Sequence, residues 1–485
     1  MSKVFFIPLL LINLIFHSIS VQSQPIKIAC VGNSITYGAR VENREQNSYP
    51  SQLATMLGEG YEVGNFGRNG ATLLKRGNLP YWETEQYQEA LAFNPDWVLI
   101  KLGTNDTKPV NRVFLKEDFL NDYRDLIQSF RDLASKPRVV LLLPVPVFTE
   151  DTTAITARVV REQLIPMIRQ LAYETECEVI NLYNLMIDKP ELLPDNVHPN
   201  AAGATIMANR IYEHIVMKGA EFDISSSLPS NKQAFNFHGF EGYDFEFMGR
   251  KAKVVKPKET AIGRPWVWRA RFFGHEPQAD IALLERGFHI AYCDVAELFG
   301  NDESMKIWDG FYQFLTGAGL SDKSVMEGLS RGGVYIYRWT TKYPERVAGV
   351  YADAPVLDLK SWPGGQGTGK GSPEVWETFK EDYGFKSDKK ALKFKGNPVD
   401  LAEKIAKTGI PMLHVVGDAD DLVPVAENTS VFEERVKAAG GDIQVIHKPG
   451  VGHHPHSLEN PQPIVDFVLK CTDYRVSQNL IPAGN

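Results

Sequence analysis

Cysteine is scarce in this chain, and positive charge is not in excess. The 485 residues include four cysteines, and none of them forms a C-x-x-C pair, so we expect no metal site and no cofactor. Cys30, Cys177 and Cys293 lie in apolar runs typical of buried strands, which predicts no disulfide. Lysine and arginine number 52 against 60 acidic residues, a net charge of −8. A nucleic-acid partner, which requires a basic patch, is therefore not expected.

The apolar run at the N-terminus is shorter than a membrane span. Lys3 precedes an apolar stretch from Val4 to Phe16, and small residues follow at Val21 and Ser23. A transmembrane helix needs about 20 apolar residues, whereas this pattern is typical of a secretory signal peptide. We predict export after cleavage near Ser23, to the periplasm or the medium, without stable membrane insertion. An uncleaved membrane anchor is the alternative.

Short apolar segments alternate with helical segments along the rest of the chain. Continuous apolar runs such as "IKIACVG", "DWVLIKLGTND" and "RVVLLLPVPV" are typical of parallel strands covered on both faces. The polar stretch "EFDISSSLPSNKQ" has no periodicity and predicts a linker. Beyond it the alternation resumes, beginning with a predicted strand pair in "YDFEFMGRKAKVVKP". The fold class predicted from this order is α/β, with two doubly wound domains.

The boundaries follow from these segments. We predict a signal peptide at residues 1–23, a first α/β domain at 24–224 and a linker at 225–235. A second α/β domain then occupies residues 236–475, and a tail occupies 476–485.

Polar residues follow the predicted strand ends in the first domain. Ser34 stands in "GNSITYG", Gly70 in "GRNG" and Asn105 in "GTND". Asp195 and His198 are three residues apart in "DNVHPN". Ligands bind at the carboxyl ends of strands in open parallel sheets, so these side chains are expected to meet. His198 can then take the Ser34 proton while Asp195 holds its other ring nitrogen.

The same loops contain donors for an oxyanion. A tetrahedral intermediate needs hydrogen-bond donors aimed at its negative oxygen. The backbone N–H groups of Ser34 and Gly70 and the side-chain amide of Asn105 are the three predicted donors. Glycine at position 70 lets the backbone approach closely.

The four blocks, in this order, resemble those of the SGNH hydrolases, also called the GDSL family, over roughly residues 25 to 220. The resemblance implies esterase chemistry on small acyl groups, without a metal. One departure is Asn33, where the family more often has Asp; this position flanks the nucleophile and lies outside the catalytic set. The family includes lipases, thioesterases, arylesterases and carbohydrate acetylesterases.

A second serine lies in "EGLSRGG", which has the form G-x-S-x-G between a predicted strand and a predicted helix. This is the context of a nucleophile elbow at Ser330. Gly328 and Gly332 are expected to relieve crowding at the turn. The Arg331 N–H, with an N–H near Arg271 or Phe272, is predicted to form an oxyanion hole.

An acid and a base follow Ser330 in the order of α/β-hydrolases. Asp420 ends a strand in "GDADDLVP", and His453 stands in "GVGHHPH". His454 is an alternative base, and Asp353 and Asp421 are alternative acids.

This half is similar to the α/β-hydrolase superfamily over roughly residues 236 to 472. The resemblance implies a second serine hydrolase site. A degenerate domain that only binds is the alternative. Nearby, "RPWVWRARFFGH" is rich in arginine and aromatic residues. It can line a sugar or aryl pocket or can pack near a domain interface.

Taken together, these patterns predict an exported serine esterase with two active sites, acting on an esterified polysaccharide or glycan and removing O-acetyl or related acyl groups. A lipase or thioesterase, and a single-site esterase with a glycan-binding second domain, are the alternatives. The substrate assignment is an analogy at the level of the fold.

Overall fold

The computed structural model describes residues 24–150, 153–472 and 474. The predicted signal peptide, with its cleavage position near Ser23, and the predicted tail at 476–485 lie outside the described residues. Among the helices that are described, none combines the length and the apolar composition that crossing a bilayer would require. Two β-sheets, each covered by helices, account for the fold.

The first sheet has five parallel strands. They are β1 (Ile26–Gly32), β2 (Tyr61–Gly67), β3 (Trp97–Lys101), β4 (Arg138–Leu142) and β5 (Glu178–Ile180). Their spatial order is β2-β1-β3-β4-β5, so the strand order reverses between β1 and β3. A crevice opens at such a reversal in doubly wound sheets, and ligands bind there. Ser34 lies two residues after the end of β1.

Helices cover both faces of this sheet. They are α1 (Ser34–Tyr37), α2 (Arg44–Asn47), α3 (Tyr49–Leu57), α4 (Glu85–Ala92), α5 (Pro109–Arg112), α6 (Leu115–Arg131), α7 (Ala157–Val159), α8 (Ile165–Glu174) and α9 (Ala201–Val216). Successive β1 side chains enter opposite cores, with Ile28 and Cys30 on one face and Ala29 and Val31 on the other. Burial on both faces explains why the predicted strands are continuously apolar.

The second sheet has nine strands. They are β6 (Gln233–Phe237), β7 (Phe240–Phe247), β8 (Arg250–Val255), β9 (Trp266–Arg269), β10 (His289–Cys293), β11 (Ser324–Leu329), β12 (Val347–Asp353), β13 (Met412–Gly417) and β14 (Ile443–Lys448). The order is β14-β13-β12-β11-β9-β10-β8-β7-β6. Strands β9 to β14 are parallel, and β8, β7 and β6 extend the sheet antiparallel. The predicted α/β fold class is confirmed, with this antiparallel extension added.

The helices of the second sheet continue the numbering. They are α10 (Gln278–Leu284), α11 (Asp302–Gly317), α12 (Gly332–Lys342), α13 (Pro373–Asp382), α14 (Asp388–Ala391), α15 (Pro398–Ala406), α16 (Thr429–Ala438) and α17 (Gln462–Cys471). The "RPWVWR" segment mainly packs: Trp268 is fully buried and lies 5.4, 4.8 and 5.0 Å from the rings of Trp266, Trp308 and Trp339.

Three antiparallel strands stand where the sequence predicted a pair. Strand β6 begins at Gln233, inside the predicted linker at 225–235. Residues His238 and Gly239 form the two-residue turn into β7, and both have positive φ, +51° and +100°. Such a turn matches the twist of a hairpin and usually carries Asn or Asp before the glycine. Histidine at that place concealed the hairpin in the sequence.

Buried ion pairs join the two sheets with their helices. Glu213 of α9 accepts a hydrogen bond from Arg286, which follows α10, at 3.0 Å, and it lies 3.4 Å from Arg210. Glu285 pairs with Arg169 of α8 at 2.9 Å. Burial alone raises the pKa of Glu213, but the guanidinium groups of Arg210 and Arg286 outweigh burial and hold the pKa below its usual range. The carboxylate is thus ionised between two buried cations.

Replacing Glu213 by glutamine is expected to lower the free energy of unfolding by about 3–5 kcal/mol, because two buried guanidinium groups lose their counter-charge. Since the folded-state pKa of Glu213 is lowered, its contribution is present above the unfolded-state pKa and is lost as the pH falls through the folded-state value. Urea denaturation at neutral pH measures the change. Glu403→Gln is the control, because its partner Lys407 is exposed and little change is expected. Equal stability of the two variants would contradict this prediction.

Candidate active sites

Ser34, His198 and Asp195 meet at the carboxyl end of the first sheet. The Ser34 Oγ lies 2.8 Å from His198 Nε2, and His198 Nδ1 lies 2.8 Å from Asp195 Oδ2. These are hydrogen-bond distances, so the imidazole bridges hydroxyl and carboxylate. This order of groups suits a base that removes the serine proton while the carboxylate holds its tautomer.

Local hydrogen bonds fix the backbone at both ends of the Ser34–His198–Asp195 set. Asn33 caps α1: its side-chain oxygen accepts from the Ile35 N–H at 3.1 Å, which an uncharged amide does as well as an aspartate. Asp195 Oδ1 accepts from the backbone N–H groups of Val197 and His198, at 3.1 and 2.7 Å. Partial burial raises the pKa of Asp195, but the hydrogen bonds from His198 outweigh burial and lower the pKa below its usual range. The carboxylate therefore stays ionised beside the imidazole.

Gly70 and Asn105 lie with Ser34 around one cavity of about 390 Å³. Gly70 has φ +78°, a left-handed conformation that a side chain would strain. The Asn105 side-chain amide donates to the Ala71 carbonyl at 3.0 Å, which leaves its second amide hydrogen for another acceptor. Buried Asp106 accepts from the Leu73 and Leu74 N–H groups, so the loop after Gly70 is tied to the Asn105 turn.

The sequence did not single out several residues that line this cavity. They are Ile35, Ala39, Asn69, Thr104, Lys108, Ile155 and Val197. Burial lowers the pKa of the Lys108 ammonium more than nearby Asp106 raises it. Asn69 lies within the "GRNG" block and Lys108 lies two positions after "GTND", so membership of or proximity to these motifs is the signal that would have found them.

Ser330 stands on a sharp turn between β11 and α12. Its φ is +49°, and its N–H donates to the Asp353 carbonyl at 2.8 Å. A β-carbon at Gly328 would lie 2.7 Å from the Ile336 side chain and 2.8 Å from the Gly332 backbone, so only glycine fits there. The expectation for Gly332 was wrong, because its nearest neighbour would be an ordinary 3.6 Å away. The strained turn at Ser330 is the geometry of a nucleophile elbow.

His453 and Asp420 complete the second set. The Ser330 Oγ lies 3.0 Å from His453 Nε2, and His453 Nδ1 lies 2.7 Å from Asp420 Oδ2. Asp420 Oδ1 accepts from the Leu422 and Val423 N–H groups, at 3.0 and 2.8 Å. The Asp420 side chain is 1 % exposed, against 35 % for Asp195 in the first set, so the second set is more strongly desolvated.

The alternatives for the acid and the base have other partners. Asp421 is exposed and pairs with Lys370 at 3.1 Å. Asp353 is buried and accepts from His456 Nδ1 at 2.8 Å. His454 is exposed, with its ring centre 5.0 Å from that of His453. The geometry favours Asp420 and His453 as partners of Ser330.

Two guanidinium groups stand beside the elbow. The Arg331 and Arg271 side chains both reach Glu297, at 3.1 and 3.4 Å, and Arg331 lies over the Phe272 ring at 5.6 Å. A side chain at position 332 would touch Ala270 and Arg271, so the backbone after β9 adjoins the elbow where the second donor was expected. Of "RPWVWRARFFGH", the tryptophans pack and the Arg271–Phe272 end faces this site.

A buried charge network lies beneath the elbow. Glu327, in "EGLSRGG", accepts from Arg269 Nη1 at 3.1 Å, and Arg269 also bonds Asp280. Burial and then the Asp280 charge raise the pKa of Glu327 well above its usual range. The Arg269 guanidinium, held between the carboxyl groups of Glu327 and Asp280, anchors β11 below Ser330.

Comparison with known families agrees with the division of the chain into two α/β halves. A model of the GDSL-like lipase/acylhydrolase family matches residues 30–206. A model of the prolyl oligopeptidase family, whose catalytic fold is that of α/β-hydrolases, matches residues 314–475. Both predicted resemblances are confirmed, each in its own half of the chain.

Curated relatives add a chemical class. An acetylxylan esterase from Xylanibacter ruminicola is 37% identical over 204 residues, which are 38% of this chain and 42% of that protein. The chain thus spans less than half the length of this relative. An acetylxylan esterase from Geobacillus stearothermophilus is 28% identical over 39% of this chain and 93% of that protein. Among solved structures, an S-formylglutathione hydrolase from Agrobacterium tumefaciens is 16% identical over 50% of this chain and 98% of that chain, with a TM-score of 0.37.

Proposed function

We propose that the chain is an exported serine esterase with two active sites that removes acetyl or related acyl groups from a polysaccharide or glycan. One observation carries the proposal: two separate Ser–His–Asp sets are each linked by hydrogen-bond distances of 2.7 to 3.0 Å. Ser34 and Ser330 are the proposed nucleophiles, and each forms an acyl-enzyme that water then hydrolyses. The names of the two acetylxylan esterase relatives support the substrate class.

The roles within each site follow from the contacts. His198 and His453 are the proposed bases, oriented by Asp195 and Asp420. In the first site the backbone N–H groups of Ser34 and Gly70 and the amide of Asn105 would stabilise the oxyanion. In the second, the Arg331 N–H and an N–H from the loop after β9 would do so.

The first cavity suits a short acyl group on a sugar. Asn69, Thr104, Asn105 and Lys108 bring hydrogen-bonding groups to its wall. Sugar hydroxyls need such donors and acceptors, whereas a long fatty acyl chain needs a continuous apolar groove. Ile35, Ala39, Ile155 and Val197 also line the cavity, so the names of the two relatives, more than this lining, favour a carbohydrate acetylesterase over a lipase or thioesterase. Two sites on one chain also raise the effective concentration of a multiply esterified polymer at the second site.

A small organophosphonate that labels activated serines tests the two-site proposal. Intact-mass spectrometry is expected to show two adducts per chain, and peptide mapping is expected to place them on Ser34 and Ser330. Heat-unfolded protein is the control and should take up none, because an isolated serine hydroxyl is a weak nucleophile. A single adduct on Ser34 would instead support one catalytic site with a binding domain.

Acyl chain length tests the substrate class. With acetylated xylan, p-nitrophenyl acetate and p-nitrophenyl laurate, the acetyl esters are expected to be hydrolysed with the higher kcat/KM. Faster hydrolysis of the laurate would overturn the carbohydrate assignment in favour of a lipase.

A further inference from the structure

Three histidines converge beside the second site, outside the Ser330 set. His275 lies in the loop between β9 and α10, and His454 and His456 lie in the loop between β14 and α17. One ring nitrogen from each lies within 4.8 Å of the corresponding atoms of the other two. Their ring centres are 4.7 to 5.9 Å apart. We call His275, His454 and His456 the three-histidine cluster.

A buried carboxylate fixes one of the three rings. His456 is 3 % exposed, and its Nδ1 lies 2.8 Å from Asp353 Oδ1. Asp353 is itself held by the Tyr351 hydroxyl at 2.7 Å and by the Ser457 N–H at 2.8 Å. With Nδ1–H donating to the carboxylate, the lone pair of His456 stands on Nε2. This carboxylate–imidazole pairing is the usual support of a metal-binding histidine.

The other two rings lie at the surface and meet edge to face, with their centres 5.6 Å apart. Within the described part of the chain, neither the His275 ring nor the His454 ring makes a hydrogen bond, and both residues are exposed. Glu276 supplies negative charge nearby: its Oε2 accepts from the His456 N–H and lies 3.9 Å from His275 Nε2. A cation among the three imidazoles would therefore be flanked by the carboxylates of Glu276 and Asp353.

We propose that the three-histidine cluster binds one divalent transition-metal ion of the Zn²⁺ type. Imidazole nitrogen is a ligand for Zn²⁺, Co²⁺, Ni²⁺ and Cu²⁺, whereas Mg²⁺ and Ca²⁺ require oxygen ligands. Bonds of about 2.0–2.1 Å place the nitrogens of a tetrahedral site about 3.4 Å apart. Rotation of the exposed His275 and His454 rings toward the fixed His456 ring would bring the three nitrogens to this separation. Three protein ligands leave the fourth position to water.

The bound ion would stand next to the base of the second site. The His453 ring centre is 5.0 Å from those of His454 and His456. Metal binding at the cluster does not rest on the proposed function of Ser330.

Metal binding is tested with the full chain carrying no histidine tag. Titration with Co²⁺ is expected to give one ion per chain with the visible absorption of a tetrahedral nitrogen site, and Zn²⁺ should displace it. His275→Gln and His454→Gln are each expected to weaken Co²⁺ binding at least tenfold, and the double variant should bind none. His447→Gln is the matched control, because His447 is an exposed histidine paired with Asp418 elsewhere. His456 is left intact, since its loss would disturb the buried Asp353.

Each outcome decides the proposal. Absence of stoichiometric binding, or equal binding by the double variant and the His447→Gln control, would overturn it. Binding is also measured in Ser330→Ala, where it should persist, so failure of the site and failure of the second esterase activity are distinguished.

Discussion

Replacing Ser34 by alanine is expected to lower kcat for acetyl-ester hydrolysis at the first site by a factor on the order of 10⁴–10⁶. The hydroxyl is the only group in the Ser34–His198–Asp195 set positioned to become a covalent nucleophile, since the imidazole lies 2.8 Å from its oxygen. Without it, the cavity and the oxyanion donors can still bind the ester and leave only a residual rate. A factor of 10⁵ corresponds to about 7 kcal/mol of lost transition-state stabilisation.

The variant contains its own control. Turnover of the ester cleaved by the second site, measured on the same preparation, reports whether Ser34→Ala protein is folded. KM for the first-site ester is expected to change little, because the lining of the cavity is retained. Wild-type acetyl-ester turnover in Ser34→Ala, across every ester tested, would show that Ser34 is not a nucleophile.

Replacing Asp420 by asparagine is expected to lower kcat at the second site about 10⁴-fold. Asp420 Oδ2 lies 2.7 Å from His453 Nδ1, and in the proposed mechanism it keeps the proton on that nitrogen and leaves Nε2 to act as a base toward Ser330. An asparagine amide can donate to Nδ1 instead and favour the wrong tautomer. The measurement uses the Ser34→Ala background, where the remaining turnover is expected to come from the proposed second site.

The neighbouring aspartate is the matched control. Asp421 differs from Asp420 by one position, is exposed, and pairs with Lys370. Asp421→Asn in the same background is expected to retain second-site turnover within a fewfold. Similar losses in the two variants would contradict the assignment of Asp420 as the partner of His453.

Sequence patterns predicted that Ser34, Asp195 and His198 would meet, because strand order gave their positions. Asp195 and His198 share one short loop, and Ser34 lies two residues after the end of β1, at the same edge of the sheet. The second site was less determined. In "DADD" the sequence pattern does not distinguish Asp420 from the adjacent Asp421. The structure distinguishes them, because Asp420 Oδ1 accepts hydrogen bonds from the Leu422 and Val423 N–H groups.

Contacts between distant segments could not be foreseen in the same way. Asp353 and His456 are 103 positions apart, and a strand end and a loop reveal nothing of their pairing. The expectation of no metal, which rested on the absence of a C-x-x-C pair and on the family resemblance, stays a prediction, and neither signal reports on histidines from two separate loops. The β6–β7 hairpin was concealed for a third reason, the histidine in its turn.

The buried charges between the two sheets have a consequence for how such a chain can change over generations. Arg169 and Glu285, and Glu213 and Arg286, come from opposite sides of residues 225–235. A cut or an exchange at that segment would leave these carboxylates and guanidinium groups buried without their counter-ions. The halves are therefore not interchangeable modules: recombination that swapped either one would have to replace both faces of this interface at once, and the chain is better regarded as a single unit of inheritance.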